Sequence, residues 1–174
     1  MVSVLLGALV GMTLAISGAS YQAVFRNPLA DPYLLGAAAG AGLGATVGII
    51  TGSGDGVGTF DLVPILGFLG ALLAVGATYL LGYSSSARRS PAALLLAGVA
   101  VASFLTAIQI FIQQQNVETI RQVYGWILGR LNTASWDEVS MLAPYALAAS
   151  FVILLCRRLL DVMRLGDAEA SSLG

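Results

Sequence analysis

Few side chains in this chain of 174 residues could do chemistry, and those few are clustered. There is no histidine and only one cysteine, Cys156. Imidazole acid–base chemistry and a disulfide within the chain are therefore excluded. Asp55 and Asp61 lie in GSGDGVGTFD, where glycine recurs at every second position. Such a loop has the outline of a phosphate cradle or a calcium repeat. No Gly-Lys-Ser/Thr follows it, however, and two carboxylates are too few for a calcium cage, so it reads as a solvent loop. What remains is amide, guanidinium and backbone chemistry. Gln109, Gln114, Gln115 and Asn116 carry neutral amides, Arg26 to Pro32 (RNPLADP) is a polar run between apolar ones, and Gly166-Asp167 opens a polar tail. Groups of these kinds hydrogen-bond, orient water and cap helix ends; they do not activate a nucleophile.

The elements that must position them are set by composition. Apolar residues make up 57% of the chain and charged residues 10%, with mean hydropathy +0.87, whereas a soluble domain has about 25% charged residues. This is the composition of an integral, all-α membrane protein. Net charge −1 gives no basic footprint for nucleic acid. The expected spans are residues 2–24, 34–51, 62–82, 92–112 and 139–156, each close to the roughly 20 residues needed to cross a bilayer. Gly7 and Gly11 in the first form a small-xxx-small pair. A cleaved leader is rejected there, because no positive charge precedes the apolar run. Residues 117–131 (VETIRQVYGWILGRL) are amphipathic and too short in apolar content to cross, and Tyr124 and Trp126 suit an interfacial helix. Cys156 reads as a small apolar residue at a helix end.

Phe25 to Gly48 organises the rest. Each proline disfavours helix in the residue before it, so Asn27 and Asp31 turn the chain. A new helix is expected near Pro32 and Tyr33, where Asp31 could cap it. That helix carries Gly36, Gly40, Gly44 and Gly48 at steps of four, a bare face on which another helix can pack closely. Gln109, inside the fourth span, should face protein or a water-filled pathway. Orientation follows from arginine. With alternating spans, Arg26, Arg88, Arg89, Arg157, Arg158 and Arg164 share one side and Arg121 and Arg130 the other, which puts the first side in the cytoplasm. Met1 then starts a span on the outer face, so a preceding helix is expected to be missing.

Five separated segments carry a resemblance: LAISG at Leu14–Gly18, RNPLADPYLLG at Arg26–Gly36, LLLAGVA at Leu94–Ala100, YGWILGRLNTASW at Tyr124–Trp136 and LGDAEASSLG at Leu165–Gly174. In this order and spacing the chain resembles FecCD-type permeases, the membrane subunits of ABC importers for iron-siderophore, haem and cobalamin. Those permeases have about ten spans in two inverted halves, and this chain is similar to their second to sixth helices. It would divide into a transmembrane domain, residues 1–160, and a truncated cytoplasmic coupling segment, residues 161–174.

The resemblance implies roles. Asn27, Pro28 and Leu29, with Gln109, would contribute to an inner gate and pathway; Gln114, Gln115 and Asn116 would lie in the outer gate region. Gly166, Asp167, Ala170, Leu173 and Gly174 would form a coupling helix docking on an ATPase, with Asp167 capping its start. Ser171 departs from the arginine common at its position. Partners would be a second permease copy, cytoplasmic ATPase subunits, an extracytoplasmic substrate-binding protein and the lipid bilayer, in the cytoplasmic membrane of a prokaryote. The chain has no Gly-x-x-x-x-Gly-Lys-Ser/Thr of its own, so it is not expected to be an enzyme, and ATP and magnesium would belong to the partner. The alternatives are a non-transporting fragment or assembly protein and, less favoured, a secondary transporter. No Asp or Glu stands centrally in any expected span to couple protons.

Overall fold

The computed structural model describes residues 1–52, 62–84, 91–129 and 135–165, and all regular structure among them is helical. In chain order the α-helices are α1 (Val2–Phe25), α2 (Ala37–Ile50), α3 (Leu62–Ser84), α4 (Pro91–Gln115), α5 (Ile120–Leu128), α6 (Trp136–Leu155) and α7 (Arg157–Leu165). Short 3-10 turns occupy Pro32–Leu35 and Val117–Thr119. Four helices, α1, α3, α4 and α6, are long and apolar enough to cross a bilayer. The fifth apolar stretch, expected as one helix over residues 34–51, begins with the 3-10 turn, and only its 14-residue remainder is α2. At about 1.5 Å per residue α2 rises about 21 Å, less than the roughly 30 Å hydrocarbon core.

The chain forms two compact units. The first comprises residues 1–32 and 130–174; in it α1 packs against α6 and α7. α6 starts in a capping box. Ser135 N–H donates to Glu138 Oε2 at 2.9 Å, and Glu138 N–H donates to Ser135 Oγ at 3.5 Å, satisfying two amides that a helix start leaves free. Asp137 and Glu138 also place negative charge at the positive end of the helix. With this start at Trp136, Pro144 falls well inside the helix. Cys156, exposed and unpaired, ends α6, and α7 begins at the next residue.

The second unit, residues 33–129, has α2, α3 and α4 packed pairwise, with α5 against α2. Its interior contains small and polar side chains: Ala45, Ala74, Thr46 and Thr78 are buried, and of α5 only Val123 is fully enclosed. Large apolar side chains such as Phe68, Leu73, Leu80 and Phe104 are exposed instead. A water-soluble monomer does not carry so continuous an apolar exterior; lipid accepts it.

Candidate functional site

In the first unit the candidate site from sequence is the turn after α1. The helix ends with Arg26 in the left-handed conformation, φ 49° and ψ 36°, with Asn27 N–H bonded to Gln22 O and Arg26 N–H to Ala23 O. This is a Schellman stop made by arginine where glycine is usual, at a cost of about 1 kcal/mol. Beyond it the turn is stiff. Asn27 Oδ1 accepts from Leu29 N–H at 2.9 Å, and Asn27 O from Ala30 N–H at 3.0 Å, while Pro28 fixes its own φ. Phe25 and Ala30 are buried on either side, and Leu29 projects outward, 85% exposed. Phe25 also stacks on Tyr21, ring centroids 6.0 Å apart. The turn thus presents one apolar side chain on a rigid frame, with the amide of Asn27 committed to the frame.

Arg26 makes a second connection. Its Nε donates to Met163 O at 2.8 Å. That carbonyl is among the last four of α7, which have no amide partner within the helix, and a cation there also complements the helix dipole. On α7, Arg157, Arg158 and Asp161 are exposed and Leu160, Val162 and Met163 half-buried. The division expected between residues 160 and 161 falls inside α7. The alternation of arginine with Leu-Leu and Val-Met at helical spacing was the available signal for α7.

In the second unit the glycines at steps of four are divided between two neighbouring helices. A β-carbon at Gly40 would strike the Gly70 carbonyl, and one at Gly44 the Leu66 carbonyl. Gly48 meets Leu66 and Val63 at 3.1–3.3 Å. These three lie on α3. Gly36 does not belong to the same face. It precedes α2 with φ 77°, a conformation glycine adopts without strain, and its open side is against Gly98 O and Ala102 N of α4, both 3.5 Å from an added β-carbon. The positive φ interrupts the helix expected from Pro32, so Asp31 does not cap α2, whose N-cap is Gly36 with no side-chain bond. The 3-10 turn between them is held from two sides. Thr78 Oγ1, fully buried, donates to Leu35 O at 3.0 Å, and the Leu34 carbonyl lies against Gly98. Thr78, Gly70 and Gly98 were not singled out from sequence; the Gly70-xxx-Ala74 spacing was the missed signal.

Gln109 is 8% exposed, and its amide lies on Gly42, with Oε1 2.9 Å from where a β-carbon would be. One turn further along α4, Gln113 is equally enclosed, whereas Gln114 and Gln115 are exposed. Asn116 terminates the helix: Nδ2 donates to Ile112 O at 2.9 Å, and its own carbonyl accepts from Thr119 Oγ1 at 2.8 Å. Tyr124 is exposed, as an interfacial residue would be, but the Trp126 ring packs on Gly67 of α3, 3.0 Å from its β-carbon position. Gly166, Asp167, Ala170, Leu173 and Gly174 lie outside the described residues, as do Asp55, Asp61, Arg88, Arg89 and Arg130.

The sequence model of the FecCD transport family matches residues 1–174. The chain belongs to that family. Among relatives, this FecCD chain is 36% identical to the cobalamin import system permease BtuC of Halobacterium salinarum, over 98% of its own length and 45% of the relative's. It is also 36% identical to the hemin transport system permease HmuU of Yersinia pestis, over 98% and 51%. A solved structure described as an inward-facing metal-chelate type ABC transporter superposes with TM-score 0.79 at 26% identity, covering 99% of this FecCD chain and 53% of that one. The chain thus spans about half the length of the relatives it matches. It is a multi-pass protein of the cytoplasmic membrane, in a family of permease subunits rather than enzymes.

Proposed function

We propose that this chain forms the transmembrane pathway portion of an ATP-binding-cassette importer for a metal chelate of the iron-siderophore, haem or cobalamin class. The observation that carries the reading is the family match over every residue, joined to relatives whose names specify cobalamin and hemin import. The geometry supports it. A rigid turn with an exposed Leu29 is suited to closing an inner gate by apolar contact with a second permease copy. Gln114, Gln115 and Asn116 are then assigned to the outer end of the pathway, and Gln109, enclosed against Gly42, to the packing of its wall. Residues 166–174 dock on a separate ATPase, which binds ATP and magnesium and supplies the energy, and a substrate-binding protein delivers cargo from outside.

The test is copurification of the chain with its ATPase subunit, then uptake of labelled cobalamin, haem or ferric siderophore by vesicles containing the assembly. Substituting Gly166 and Asp167 should abolish ATPase binding and leave insertion intact. Insertion without ATPase binding by the unsubstituted chain would instead mark an assembly protein.

A further inference from the structure

We infer that Arg26 is a positioning residue that joins the Asn27–Ala30 turn to α7, so that displacement of α7 carries Leu29 with it. What that displacement accomplishes rests on the function proposed above; the link itself does not. Arg26 occupies a left-handed position, φ 49°, that glycine would hold without strain, so the backbone alone gives no reason for arginine there. The side chain does give one, since Nε reaches Met163 O at 2.8 Å across 137 positions of sequence. The connection has little slack at either end. On one side, Phe25 is buried, and Asn27 to Ala30 are closed by the two hydrogen bonds to Asn27. On the other, Met163 is in the last turn of α7, directly ahead of Gly166 and Asp167. A force arriving at residues 166–174 reaches α7 first, and through the guanidinium it reaches Leu29 without crossing the length of α6.

The link can be read as a distance. In the full chain with Cys156→Ser, nitroxide labels at Leu29→Cys and Asp161→Cys should give a narrow distance distribution. Arg26→Gly keeps the left-handed stop and removes the side chain, so helicity should persist while the distribution broadens; Arg26→Lys, which can still donate to the carbonyl, should recover most of the narrowness. A distribution as narrow in Arg26→Gly as in the parent, or as broad in Arg26→Lys as in Arg26→Gly, overturns the inference. Should Arg26→Gly fail to insert, Arg26→Met, which keeps the apolar stem and has no donor for the Met163 carbonyl, is read the same way. In the assembled importer, cargo moved per ATP should fall about fivefold in Arg26→Gly, the factor corresponding to about 1 kcal/mol for a cation at a helix terminus. ATPase binding should stay unchanged, and Arg26→Lys should restore the ratio. An unaltered ratio would refute transmission through Arg26. If the parent chain binds no ATPase, the proposed function fails while the distance result stands.

Discussion

Gly40 on α2 and Gly70 on α3 approach so closely that a β-carbon on either would collide with the other's backbone carbonyl. Neither obstacle is a flexible side chain, so the helices must separate to admit one. Gly40→Leu and Gly70→Ala should each destabilise the chain by about 1–3 kcal/mol, the usual cost of overpacking, measured by unfolding in mixed detergent micelles. Gly7 and Gly11 on α1 have nothing within 4 Å of a β-carbon. Alanine at either is expected to leave stability unchanged or raise it by about 0.5–1 kcal/mol, because alanine favours helix over glycine. Equal losses at Gly11 and Gly40 would contradict the assignment of faces.

Removing the hydroxyl that holds the 3-10 turn should be costly. Thr78→Val takes the fully buried donor from the half-buried Leu35 carbonyl and should lower stability by about 1–3 kcal/mol. Thr78→Ser keeps the donor and should recover much of that loss. Hydrogen exchange at the Gly36 amide, which donates to Tyr33 O at 3.0 Å, would report the same event, with faster exchange in the valine variant only.

Gln109 and Gly42 offer a test of coupling. Gly42→Ala meets the Gln109 amide at 2.9–3.2 Å, but this neighbour is the end of a flexible side chain and can yield. The single substitution should therefore cost less than the Gly40 and Gly70 variants. In combination with Gln109→Ala, the cost of Gly42→Ala should shrink, giving an interaction term of about 0.5–3 kcal/mol in a double-mutant cycle. Strict additivity would mean that the two do not touch.

The start of α6 should depend on its capping box. Ser135→Ala ought to cost about 1 kcal/mol, and Glu138→Gln less, because a glutamine side chain can still accept from the Ser135 amide. Hydrogen exchange at the first amides of α6 would detect the fraying before any global change.

Parts of this arrangement were legible in sequence because they depend on local chemistry. Pro28 and Pro32 dictate a stop after α1 wherever the turn lies, and the lengths of α1, α3 and α4 follow from runs without charge, whereas α6 starts three residues before its uncharged run, where the Ser135 cap holds Asp137 and Glu138 in the first turn. The glycine spacing announced a bare face but not its partner, since Gly36 differs from Gly40 only through a positive φ that tertiary contacts with α4 select. The amides show the same limit. Gln113, Gln114 and Gln115 are identical in type and adjacent, and their separation into one buried and two exposed follows from which side of α4 meets the bundle. Trp126 was equally ambiguous, because a ring suited to the bilayer surface also fills the space over Gly67. α7 was hidden by its arginines, which read as solvated tail until Leu160 and Met163 are seen on the opposite face.

The meeting of bare backbones at Gly40 and Gly70 also bears on temperature. Burial from water weakens on cooling, but helices already in hydrocarbon gain little from excluding water and associate through dispersion and polar contact. The α2–α3 pair is thereby exempt from the loss of cohesion that cold imposes on a soluble core. In a chilled membrane this pair should stay closed while the lipid around it stiffens.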